Sequence, residues 1–181
     1  LESSGKNIVH MEVGQPSSPA LTKARSKVIT GIKSDTLGYT VALGLPELRQ
    51  KISLLYGKWY NIDLDPNRVV ITAGSSAAFI LSFISLFGAG DRVSVTEPGY
   101  PSYRQILKSL SISAVGFPTS KDNWHIPRLE GHNLNRAIIA SPANPTGSIL
   151  SKGTLTSLIN ECVDQKISFI SDEIYHGLQY N

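Results

Sequence analysis

Cysteine is almost missing from this sequence: Cys162 is the only one in 181 residues. A single thiol makes no internal disulfide, so burial and hydrogen bonding must hold the fold, and a reducing compartment, the cytoplasm, is expected. Cys162 shares a helical face with Leu155, Leu158 and Ile159, which marks it as a core residue and not a nucleophile. Long hydrophobic runs are missing too. The longest apolar stretch, 77–87, is interrupted by Ser82 and Ser85 and is too short to span a bilayer. The first six residues lack the basic-then-apolar order of a signal peptide. Excess charge of one sign is absent as well, with a net charge of only +3. The lysines and arginines are scattered and form no basic stripe interleaved with aromatics, which argues against a nucleic-acid partner. No metal site, internal repeat or low-complexity tract is expected.

What is present is an ordinary globular composition, 41% hydrophobic and 17% charged, in a chain long enough for a sizeable core. Residues 1–17 read as an extended arm ending in Gly14-Gln15-Pro16. Ser18-Pro19 suits the cap and first turn of a helix running to about Ile32. Gly38-Tyr39 and Gly44 mark a loop. Pro46 opens a second helix, whose Leu48, Ile52, Leu55 and Trp59 recur on one face. From there strands and helices alternate. Val69–Thr72 is a short β-branched run, read as a buried strand. Ser75–Phe87 reads as a helix apolar nearly all round, which requires cover on most sides. Further strands are expected at Arg92–Thr96, Ile112–Phe117, Arg136–Ala140 and Ile167–Ser171. Helices are expected around Tyr103–Leu110 and from Ser151, as cap, to Gln165. Such alternation predicts an α/β domain with a largely parallel sheet, and in such sheets ligands sit at the carboxyl ends of the strands.

Each strand end carries chemistry. After Val69–Thr72, the Gly74 turn opens a helix at Ser75-Ser76, leaving backbone N–H groups free at the positive end of the helix dipole, where an anion such as phosphate can bind. The competing reading is a plain helix cap; no Gly-Lys-Ser/Thr follows, so this is not a Walker loop. The next strand ends in Glu97-Pro98-Gly99-Tyr100, an aromatic in a proline-bounded turn that can stack on a flat ring or merely cover the sheet edge. Pro142 and Pro145 fix the path around Asn144, presenting its amide at the same edge, unless this is an ordinary Asn-Pro turn. Asp172 follows an apolar strand and needs a partner, such as a cationic ring nitrogen; Tyr175 lies three residues on. Alternatively Asp172 caps the next segment and Tyr175 belongs to the core. Together these groups suit a flat, phosphorylated, protonatable heteroaromatic cofactor.

The motifs Gly14-Gln15-Pro16, Gly38-Tyr39 with Gly44-Leu45-Pro46-Glu47-Leu48-Arg49, Thr72-Ala73-Gly74-Ser75-Ser76-Ala77, Pro98-Gly99-Tyr100, Ser141-Pro142-Ala143-Asn144-Pro145-Thr146-Gly147 and Ser171-Asp172-Glu173-Ile174-Tyr175 resemble, in this order, those of the class I/II aminotransferases. The resemblance implies the large domain of a pyridoxal-phosphate (PLP)-dependent transferase, a three-layer α/β/α fold with a mostly parallel sheet. It implies that residues 1–35 belong with the small domain or its linker and that 36–181 form part of the large domain. Ser75 and Ser76 would bind the cofactor phosphate, Tyr100 would stack on its ring, and Asn144 and Tyr175 would meet its 3-hydroxyl oxygen. Asp172 would pair with the pyridine nitrogen, Tyr39 would reach the phosphate in a partner subunit of a homodimer, and Gly14 would lie beside the substrate carboxylate.

The implied activity is amino-group transfer between an amino acid and a 2-oxo acid. In the family the Schiff-base lysine lies beyond the Ser-Asp-Glu-Ile-Tyr strand, and no lysine of this chain sits in a matching context. The expectation is therefore a partial chain, inactive alone, with no catalytic residue of its own. Two strands that in the family separate Val69–Thr72 from the other strands would be absent, which exposes sheet edges. A carbon–sulfur lyase on the same fold, or a PLP-sensing regulatory domain, would carry the same cofactor motifs.

Overall fold

Among the described residues, strand character settles in four short segments, and all of them pair in parallel. The computed structural model describes residues 2–10, 14, 18–119, 129 and 133–178; Gln15 and Pro16 lie outside them. The strands are β1 (Arg92–Glu97), β2 (Ser113–Pro118), β3 (Arg136–Ala140) and β4 (Ser168–Asp172), in the order β2-β1-β3-β4. β1 runs beside β2 from Arg92↔Ser113 to Glu97↔Pro118, and β3 beside β4 from Arg136↔Ser168 to Ala140↔Asp172. Five α-helices accompany them among the described residues: α1 (Thr22–Ser34), α2 (Pro46–Tyr60), α3 (Ser75–Leu86), α4 (Pro101–Ser109) and α5 (Lys152–Asp164).

The two-residue alternation of a strand sends neighbouring side chains to opposite faces of the sheet. Val93 and Val95 of β1 and Ile138 of β3 pack with Phe79, Phe83 and Phe87 from α3 and its end, and with Tyr103 and Leu107 of α4. Ala137 and Ile139 of β3 point the other way, onto Leu158 and Cys162 of α5. The result is a three-layer α/β/α arrangement. The amino ends of the strands are tied together electrostatically. Asp91 pairs with Arg136 at 3.2 Å, and the Arg136 guanidinium donates to the Leu86 carbonyl at the end of α3, where a cation is favoured. Cys162 is fully buried. Burial, followed by the neighbouring Glu161, pushes its thiol up to about 11, which suits a core residue.

Four expectations are corrected. Val69–Thr72 is extended but belongs to no strand. Its ladder-like contact is a single bond from the Ile71 N–H to the Leu43 carbonyl, 3.0 Å, because no described strand lies alongside it. Gly44 makes that approach possible: its φ is +95°, and a Cβ there would sit 2.5 Å from Ile71 Cγ1. The first helix starts at Thr22 with no side-chain cap, so Ser18-Pro19 precede it by a stretch of extended chain. In α2 the stripe Leu48, Leu55 and Trp59 is exposed, and the buried side chain is Arg49. Its guanidinium donates to the carbonyls of Pro66 and Val69 and to Asn67 Oδ1, at 2.8–3.1 Å, so α2 is docked by hydrogen bonds where its sequence suggested apolar packing. Lastly, α3 is covered on one face only: Phe79 and Phe83 are buried, whereas Ile80, Leu81 and Ile84 are exposed.

Ser151 caps α5 as expected, accepting the Thr154 N–H at 3.1 Å. Among the described residues, no helix is long and apolar enough to cross a membrane.

Phe83 is the centre of the larger core cluster, fully buried between Phe79 and Phe87. Phe83→Ala is expected to cost about 3–5 kcal/mol of unfolding free energy. Phe83→Leu, which keeps most of the apolar volume, should cost clearly less. Urea unfolding followed by circular dichroism measures both; equal losses in the two variants would contradict this assignment of the core.

Candidate cofactor site

The turn before α3 is built on Gly74, whose φ of 86° and ψ of 169° fall in a region that is essentially restricted to glycine. Thr72 closes it: its hydroxyl donates to the Gly74 carbonyl at 2.9 Å, and its own carbonyl accepts the Gly74 N–H at 2.9 Å. The first helical bond runs from the Ala78 N–H to the Gly74 carbonyl, so the N–H groups of Ser75 and Ser76 meet no acceptor among the described residues. Two unpaired donors at the positive end of a twelve-residue helix make an anion cradle.

Pro101 starts α4, which leaves Tyr100 as the residue before the helix, half-buried at the carboxyl end of β1. The Tyr100 ring stands edge-to-face on Tyr103 with centroids 5.4 Å apart, and Tyr103 stands the same way on Phe79 at 5.1 Å. The orientation of Tyr100 is thus set by a stack of rings that begins in the core.

After β3, the turn at Asn144 is closed by bonds from the Gly147 N–H to the Ala143 carbonyl, 2.7 Å, and from the Ala143 N–H to the Ser148 carbonyl, 2.9 Å. The Asn144 amide donates to the Tyr175 hydroxyl at 3.3 Å. Tyr175 is partly exposed, so it is not a core residue. Asp172 ends β4. Its Oδ1 accepts the Ile174 N–H at 3.1 Å, which is the capping role weighed from the sequence, and its Oδ2 accepts a hydrogen bond from the Tyr103 phenol. Burial, reinforced by this bond, holds the Tyr103 pKa far above the usual tyrosine value, so the phenol stays a donor.

Ser75, Tyr100, Asn144, Asp172 and Tyr175 line one cleft of about 70 Å³, together with Phe79 and Ile174. It shares Pro142, Asn144 and Tyr175 with a wider cavity of about 490 Å³. The structure therefore brings five of the expected residues together, with Ser76 adjoining. It does not bring in Gly14 or Tyr39. Gly14 is exposed with no atom near its Cβ position, and the Tyr39 ring is wholly exposed. Tyr103 and Phe79 were read from the sequence only as helix residues. The available signal was the i, i+3 spacing of Tyr100 and Tyr103 across the start of α4, which brings the two rings to the same side.

The residues present fit pyridoxal phosphate: free N–H donors for the phosphate, a ring to stack on, an amide–phenol pair for a hydroxyl oxygen, and a carboxylate fixed on both oxygens.

A family model described as aminotransferase class I and II matches residues 6–181. The valine–pyruvate aminotransferase of Mycobacterium tuberculosis is 39% identical over 179 residues, 96% of this chain and 46% of that protein. The (5-formylfuran-3-yl)methyl phosphate transaminase of Methanocaldococcus jannaschii is 33% identical, covering 99% of this chain and 47% of that one. The crystal structure of an aminotransferase from Mycobacterium tuberculosis superposes with a TM-score of 0.90 at 40% identity, covering 93% of this chain and 48% of its own. The chain spans about half the length of the curated relatives it matches.

Nothing lies within 4 Å of a Cβ built on Gly74, so substitution there is opposed by the backbone and not by crowding. Gly74→Ala is expected to cost about 1–3 kcal/mol of stability and to weaken binding of a phosphate group at Ser75 and Ser76. Thermal unfolding with and without pyridoxal phosphate checks this; unchanged stability would mean that the turn is not held in this conformation.

Proposed function

The chain belongs to the aminotransferase class I and II family, and on that footing we propose that it supplies the cofactor-holding part of a PLP-dependent aminotransferase that exchanges an amino group between an amino acid and a 2-oxo acid. The observation that carries this reading is the convergence of Ser75, Tyr100, Asn144, Asp172 and Tyr175 on one cleft.

The bound cofactor supplies an electron-withdrawing ring that stabilises negative charge on the substrate carbon next to the nitrogen. The chain's own residues do the rest of the work assigned here. The Ser75 and Ser76 N–H groups neutralise the phosphate at the helix end. Tyr100 holds the ring plane. Asn144 and Tyr175, already bonded to each other, donate to the oxygen beside the reacting position. Asp172, ionised, keeps the ring nitrogen protonated and so keeps the ring electron-poor.

Gly14 is assigned to the substrate carboxylate, and Tyr39, with its fully exposed ring, to the phosphate in the partner subunit of a homodimer. Residues 1–35 are assigned to the small domain or its linker and 36–181 to the large domain. The absence of any buried side chain in α1 is consistent with that division. The cytoplasm is the proposed location, in keeping with a single, buried, unpaired thiol.

In the full-length enzyme, Asp172→Asn should weaken cofactor binding and lower kcat/KM for amino-group transfer by on the order of a hundredfold or more. Steady-state transamination and cofactor titration measure the two effects. Unchanged values in both would remove Asp172, and with it this reading, from the chemistry.

A further inference from the structure

A carboxylate that serves a ring nitrogen must be aimed. Both oxygens of Asp172 are engaged, Oδ1 by the Ile174 N–H and Oδ2 by the Tyr103 phenol. Tyr103 is only 4% exposed. Its ring is wedged edge-on between Phe79 and Tyr100, so the phenol has little freedom to aim elsewhere. A buried phenol requires a polar partner, and the hydrogen bond assigned to this one is to the carboxylate. The same side chain thus fixes the plane of the stacking ring through its edge and the carboxylate through its hydroxyl.

We propose that Tyr103 is a positioning residue for the cofactor: by donating to Oδ2 it fixes the orientation in which Asp172 meets the ring nitrogen, so that the pairing that keeps the nitrogen protonated is held in place. The inference rests on the cofactor reading of this cleft. The physical basis is that a hydrogen bond to a carboxylate is strong and directional, so it holds the plane of the group it meets. Without the donor, Asp172 turns more freely, its pairing with the nitrogen weakens, and the ring loses electron-withdrawing power.

The test is ¹⁵N NMR of the full-length holoenzyme loaded with pyridoxal phosphate labelled at the ring nitrogen, whose resonance grades with the position of the shared proton. Cofactor dissociation constants are measured in parallel. Tyr103→Phe keeps the ring and removes only the hydroxyl. It should move the resonance toward the unprotonated form and weaken cofactor binding roughly tenfold or more, the scale of a hydrogen bond to a charged group. Combined with Asp172→Asn it should add nothing further, because Tyr103 acts through that carboxylate. A fluorinated tyrosine placed at 103, a stronger donor of the same shape, should move the resonance the opposite way, and it decides the matter alone if the Phe variant does not fold.

If Asp172→Asn shifts both readouts while neither change at Tyr103 does, Tyr103 is a packing residue only and the inference fails by itself. If Asp172→Asn also leaves both unchanged, the cofactor reading fails and takes this inference with it.

Discussion

Parallel pairing obliges every strand in the sheet to finish on the same edge, and the candidate site exists because of that obligation. β1 ends at Glu97, β3 at Ala140 and β4 at Asp172, and these three are consecutive in the sheet. The turn bearing Asn144 therefore emerges between Tyr100 on one side and Asp172 on the other. No single turn has to be shaped as a pocket. Each has only to offer one side chain at a shared edge. The registers β1↔β2 and β3↔β4, six and five residues long, make that edge well defined.

The chemistry at this edge also draws on the core beneath it. Phe83 and Phe87 stack deep in the layer between α3 and the sheet, Phe79 follows one turn nearer the edge, and the series ends in Tyr103 and Tyr100. Hydrophobic packing thus passes without a break into the groups that face the cleft. The opposite layer, where Cys162 is buried with Leu158 and Ile139, contributes none of them. One face of the sheet stabilises, and the other stabilises and presents.

How much of this was legible depends on what kind of force decides each element. The four strands, the helix start at Pro46, the cap at Ser151 and the glycine turn at Gly74 follow from local rules, and all were readable. So was the set of residues at the strand ends. What was not readable depends on neighbours distant in sequence. Val69–Thr72 has strand composition, but a strand requires a ladder partner, and composition does not supply one. The apolar stripe of α2 has helical spacing, yet a guanidinium outcompetes it for the docking surface because three carbonyl and amide acceptors converge at the 65–69 turn. Tyr103 looked like one more apolar helix residue. Only the fold brings it against Asp172, sixty-nine positions away.

The Arg49 clamp has one more property. Its acceptors are the carbonyls of Pro66 and Val69 and the amide oxygen of Asn67, with no carboxylate among the described residues. Arginine does not lose its proton in proteins, and neither carbonyls nor amides titrate in the working range of pH. The clamp is therefore made of groups whose charge and hydrogen-bonding roles stay constant, and it fixes the point from which the chain is delivered toward the Gly74 turn.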